Sequence, residues 1–150
     1  MNSSFWLQLV ASFLSCWGFG VCLNVPKNAF IATGFTGMAG WLGYLVYYCH
    51  ANHSAVGASL VATVIIGIVA LIFAHRLQMP VTIFTIPALM PLVPGEVALE
   101  ALRALIAGRV LQAQVLFVHM LMIAGAIAVG FMIAEIFAQY YTKIAHWCRK

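Results

Sequence analysis

Apolar residues fill most of this chain, and short polar or proline-marked stretches divide them into runs. Residues 4–23 carry no charge and end at Asn24-Val25-Pro26-Lys27-Asn28. A second run covers 29–49 and stops at the polar turn His50-Ala51-Asn52-His53. A third, rich in Val, Ile and Ala, covers 54–74 and closes with His75-Arg76-Leu77-Gln78. The last occupies 115–138, before a basic tail of Lys143, Arg149 and Lys150. Each run is close to the roughly 20 residues that a helix needs to span a bilayer. The first lacks the basic start and small-residue cleavage site of a secretory signal, which predicts a retained helix.

Between the third and last runs the pattern changes. Residues 81–93 are apolar, but Pro80, Pro87, Pro91 and Pro94 punctuate them and Gly95 follows. An interior proline removes a backbone hydrogen bond and clashes with the preceding turn. A short helical run, 96–107, then carries Glu96, Glu100 and Arg103. The expectation is an all-α fold: a polytopic transmembrane helix bundle in a single integral membrane domain, 1–150. It has four spans and one proline-broken segment, 81–107, that either crosses or re-enters. If it crosses, Lys27, Arg76, Lys143, Arg149 and Lys150 share one side, opposite Arg103 and Arg109. Basic residues collect in the cytoplasm, which favours five segments and a cytoplasmic C-terminus.

Composition narrows the function classes. Of 150 residues, 65% are hydrophobic and 7% are charged, against about 25% charged in a soluble domain. So short a fold could not hide that much apolar surface from water, so a lipid bilayer is the expected surrounding. The net charge of +4 is scattered singly and forms no basic stripe, which argues against a nucleic-acid partner. There is no Asp, no hydrolase or nucleotide-binding motif, and no Cys or His at metal-ligand spacing. Neither an enzyme, a metal site nor a cofactor is expected. Among Cys16, Cys22, Cys49 and Cys148, three read as small hydrophobes within helices.

Four features could carry chemistry. Gly34, Gly37, Gly40 and Gly43 form a ladder of small positions on one helix. Such ladders let backbones approach closely in lipid, and a groove for substrate is the sharper alternative. Pro91, Pro94 and Gly95 mark a helix break. Transporters use such breaks to present helix ends to substrate, although a plain kink leaves the same signature. Glu96, Glu100 and Arg103 share one helical face, where Glu100 and Arg103 can pair. They read as a substrate or coupling site, or as the wet face of a surface helix. His119 lies about one turn inside the last span, and Glu135 near its end, where it would reach the headgroups.

Two stretches resemble the small membrane subunit of split threonine/serine exporters. One is Asn24-Val25-Pro26-Lys27 followed by Gly34, Gly37, Gly40 and Trp41. The other, more specific, is Pro80-Val81-Thr82-Ile83-Phe84-Thr85-Ile86-Pro87-Ala88-Leu89-Met90-Pro91-Leu92-Val93-Pro94-Gly95. The resemblance implies a bacterial inner-membrane exporter that works with a larger membrane subunit, with Asn24, Pro26, Pro91, Pro94 and Gly95 as matched positions. It implies gradient-driven export of threonine and serine, or of C4-dicarboxylates such as succinate, as in some similar pairs. Similar proteins often continue with glycines and tyrosine where this chain has Glu96 to Arg103. On this reading Glu100 is the expected coupling or charge-balancing group, with Glu96 and Arg103 beside it. A homo-oligomer is a further expected assembly. The alternative function is a non-transporting anchor or assembly subunit.

Overall fold

The computed structural model describes residues 2–50 and 54–147, with side chains from 5 to 140. The helices are α1 (Asn2–Cys22), α2 (Phe30–His50), α3 (Ala55–Leu77), α4 (Thr82–Ala88), α5 (Gly95–Ile106) and α6 (Val110–Trp147). Single 3-10 turns stand at Lys27–Ala29 and Met90–Leu92, and the described residues contain no strand. Helices α1, α2, α3 and α6 are long and apolar enough to cross a membrane, while α4 and α5 form a pair bent by 46°. Residues 51–53, within the expected polar turn, and Cys148, Arg149 and Lys150 lie outside the described residues.

Three left-handed residues end helices. Asn24 (φ 53°) follows α1, Gln78 (φ 54°) follows α3 and Gly108 (φ 73°) follows α5. At each, the next residue donates back across the last turn: Val25 N–H to the Gly20 carbonyl at 3.0 Å, Met79 to Ala74 at 3.1 Å, Arg109 to Ala104 at 2.9 Å. These bonds satisfy carbonyls that the helix end leaves orphaned. Pro26 and Pro80 then prevent the helix from resuming. A Cβ at Gly108 would meet nothing within 4 Å, so only its backbone conformation resists substitution. Gly108→Val should therefore cost about 1–2 kcal/mol, read as a lower midpoint in detergent unfolding, with unchanged insertion.

Helix contacts fix the path of the chain. Helix α2 runs antiparallel to α3, with Gly40 against Ile66, Gly43 against Ile65 and Tyr47 against Gly57. Phe84 packs with Ala70 and Ala74, and further along Ala88 and Leu92 pack with Ile66 and Ala62. The α4 segment therefore runs back along α3. Helix α5 continues away from it and packs on α6. Gly130 of α6 meets Thr63, and Ala134 meets Gly67, so α6 is parallel to α3. The broken segment thus returns the chain to the end where α3 began. Lys27 and Arg76 lie at one end of the bundle; Glu96, Glu100, Arg103 and Arg109 lie toward the other.

Small residues hold this bundle together. Its fully buried positions include Cys16, Ala29, Ala58, Ala62, Ala70, Ala88 and Ala101. Apolar tails of lipid give helices no hydrophobic reason to associate, so close backbone packing does that work. The glycine ladder is filled by side chains: Gly34 faces Phe13 and Gly37 faces Cys16 on α1, then Gly40 and Gly43 turn to Ile66 and Ile65 on α3. It is a packing seam shared between two neighbours, with no open groove along it. Buried hydroxyls are consumed locally. Thr36 donates to Ala32, Ser59 to Ala55 and Thr63 to Ser59, at 2.6–2.8 Å, while Ser12 crosses from α1 to the Gly37 carbonyl at 3.3 Å.

Candidate functional site

The segment Val81–Gly95 packs on α1, α2 and α3. Phe84, Pro87, Ala88 and Leu92 are its buried side. Phe84 joins Val25, Ala29 and Ala32 in one apolar cluster, so the two proline-marked stretches, 24–27 and 80–95, meet in space. Pro87 sits inside α4 and has no N–H for the Ile83 carbonyl. Pro91 stands in the 3-10 turn after it. Beside this break, Trp41 and Tyr44 stack with ring centroids 5.1 Å apart, and Tyr44 and Tyr48 at 5.9 Å. The Trp41 Nε1 donor is buried without a hydrogen-bond partner.

A groove of about 480 Å³ opens beside α4, walled by α3 and α6. Its polar lining is Thr82 and Thr85 from α4 with Glu135 and Gln139 from α6; Gly67, Leu71 and Phe131 supply apolar wall. Thr85 donates its hydroxyl to the Val81 carbonyl at 3.2 Å, which leaves its oxygen lone pairs toward an incoming donor. The volume is within the range of small-molecule sites, and a few polar groups on an apolar wall is their usual pattern. A second groove of about 470 Å³ shares Leu71, Ala134 and Ala138 and is lined by His75 and Arg76.

The parallel register of α3 and α6 sets the depth of Glu135. It stands one residue past Ala134, which faces Gly67, near the midpoint of α3 (Ala55–Leu77). The sequence reading near a span end is therefore corrected: α6 runs on to Trp147, and Glu135 lies at mid-bundle depth. Among the described residues no ion pair reaches it. A carboxylate at that depth is expensive in lipid, and such groups usually mark transport or proton pathways.

The other candidates lie elsewhere. Glu96, Glu100 and Arg103 are exposed on α5, beyond the end of α3 and away from the groove, and no ion pair joins Glu100 to Arg103. Glu96 occupies the first turn of α5, where the helix dipole favours an acid. Pro94 and Gly95 form the α4–α5 bend. His119 is half-buried; it lies about 16 Å from Gly130 along α6, which puts it about one turn short of the level of Ala55, where α3 begins. Asn24 and Pro26 cap α1 and enter the bend toward α2. In the sequence Thr82 and Thr85 stood out only as members of the proline-marked stretch and Gln139 not at all, because a hydroxyl or amide within an apolar run has no fixed spacing partner.

No curated protein and no solved structure matches the chain. A family model described as threonine/serine exporter, ThrE, matches residues 8–137, which takes in α2 to α5 whole and the α3–α4–α6 groove up to Phe137. With four membrane-length apolar helices and a match over most of its length, this multi-pass membrane protein belongs to the threonine/serine exporter family.

Proposed function

We propose that the chain is the small subunit of a two-component secondary exporter in a bacterial inner membrane, with its C-terminus in the cytoplasm. The observation that carries this is the lateral groove beside the broken helix, in a chain of an exporter family. Polar backbone and side chains at membrane depth require cover from protein or water, and this chain leaves its groove open at the side. A larger membrane subunit would close it. Threonine and serine are the substrates the family favours, and a C4-dicarboxylate such as succinate is the competing class. Lys27 and Arg76 at one end of the bundle support this sidedness, since basic residues collect in the cytoplasm.

The test is efflux of labelled threonine, serine and succinate from cells lacking their own exporters, with the chain expressed alone and with its neighbouring large subunit. Export should appear only when both are present. Export from the chain alone, as a homo-oligomer, would contradict the two-component reading.

At the far end of the broken segment, Glu100 balances charge for the passing solute, with Glu96 and Arg103 on the same face, and Pro91, Pro94 and Gly95 set the bend that brings them there. His119 stands near the same end of the path. Glu100→Gln should lower efflux while the complex still assembles. Wild-type efflux from the Glu100→Gln complex would remove Glu100 from that role.

One observation favours the anchor reading. The buried hydroxyls of Thr36, Ser59 and Thr63 are all spent on carbonyls of their own helices, so the core of this chain alone presents no polar track. Cysteines placed along residues 87–103 discriminate: reaction with a water-soluble maleimide from both sides supports a path, and protection from both sides supports an anchor.

A further inference from the structure

The groove walled by α3, α4 and α6 is not an even surface. Among the described residues its single charged side chain is Glu135, and its other described polar groups are neutral: Thr82, Thr85 and Gln139. The cationic neighbour Arg76, with His75, lines the adjoining groove, which shares Leu71, Ala134 and Ala138. A solute in the Glu135 groove therefore meets one anion, hydroxyl oxygens and apolar wall. That environment suits a ligand with an ammonium group and a small side chain. It opposes a dianion, whose second carboxylate would face Glu135 with no cation beside it among the described groove residues. In a low-dielectric site, like charges disfavour one another strongly and opposite charges are favoured.

Depth supports the same conclusion. Glu135 is level with the middle of α3, and it has no ion-pair partner among the described residues. Carboxylates held at such depth are usually paired with a cation. The ligand's own ammonium can supply that charge. Gly67 packs against Ala134 at the back of the groove and brings α3 and α6 close together there.

We infer that Glu135 is the residue that selects the substrate class, by pairing with the ammonium of a small zwitterionic amino acid held against Thr82 and Thr85. This rests on the exporter reading and sharpens it: a free α-amino group is required, and succinate is excluded.

The test uses the full chain co-expressed with its large membrane partner. A cysteine replaces Ala138 on the groove wall, and its labelling by a small maleimide is measured against the chain without it. In the Glu135-containing complex, threonine should protect position 138, and neither N-acetylthreonine nor succinate should. Glu135→Gln should abolish that protection and raise the KM for threonine export at least ten-fold, with a smaller change in kcat. Glu135→Asp should recover part of both. A merely structural role would lower the amount of assembled complex and leave the ligand discrimination alone. Protection by succinate, or protection by threonine that survives Glu135→Gln, would overturn the assignment. Protection without efflux of any label would keep the site and defeat the exporter reading, whereas efflux without protection would do the reverse.

Discussion

Gly37→Leu should leave little folded protein in the membrane. Gly37 lies where three helices meet. On α1, Cys16 faces it, and Ser12 donates to its carbonyl at 3.3 Å; on α4, the Ala88 Cα would lie 3.5 Å from an added Cβ. That Cβ would also overlap the Cys16 Sγ and come within 3.1 Å of its Cβ. Overpacking a tight core costs about 1–3 kcal/mol, occasionally more, and leucine adds four carbons at a junction whose backbone cannot retreat from both neighbours. The expected loss is about 3 kcal/mol or more, seen as a collapse of the monodisperse peak in detergent gel filtration. Gly37→Ala should be milder, and Cys16→Ala in the same chain should recover part of its loss by removing the sulfur. If Gly37→Leu gave wild-type yield and midpoint, α1 and α4 could not both be in contact with α2 at this level.

The spans themselves were legible because hydropathy tracks the bilayer. Lipid requires a continuous apolar surface on an outward helix, and α1, α2 and α3 stop within a few residues of where their apolar runs stop. Helix α6 was less legible. The last apolar run starts at Val115, after Gln112 and Gln114, yet Val110 begins the helix, and Arg109 donates to the Gln112 side chain at 3.4 Å. Polar residues with good helix propensity extend a helix past the lipid without disturbing it, so the apolar run marks the membrane and not the helix. The glycine ladder at 34, 37, 40 and 43 announced close packing through its spacing. That it passes from α1 to α3 midway was not in the spacing. It follows from the slow winding of a three-residue repeat around a 3.6-residue helix.

The site was legible in one part and hidden in another. Pro87, Pro91 and Pro94 exposed the broken segment, since each proline removes a donor wherever it sits. The charged face of Glu96, Glu100 and Arg103 was equally plain, because three charges in an apolar chain stand out. Depth was what sequence could not supply. Counting from the end of the apolar run put Glu135 near the headgroups; the register of Gly130 on Thr63 and Ala134 on Gly67 puts it at mid-bundle. A register between helices far apart in the chain depends on which small residues meet, and a single sequence lists many small residues without pairing them. Thr82 and Thr85 were hidden for the same reason, since only their position opposite Glu135 distinguishes them from other hydroxyls in spans.

Glu135→Leu should make the chain more stable while ending its transport. Glu135 is exposed on α6 at the depth of mid-α3, and no described cation pairs with it. A charged residue at the centre of a membrane helix costs about 2.5–3.5 kcal/mol on insertion scales, and leucine there is favourable by a few tenths. Removing the carboxylate should therefore raise the unfolding free energy of the chain in bicelles by about 2–3 kcal/mol, measured by titration with a denaturing detergent. Functional sites commonly hold such destabilising groups because activity requires them. The same substitution should abolish threonine export by the assembled complex. The two readouts move in opposite directions only if Glu135 is kept for function. A Glu135→Leu chain less stable than wild type would mean that the carboxylate holds α3, α4 and α6 together, and its role would then be structural.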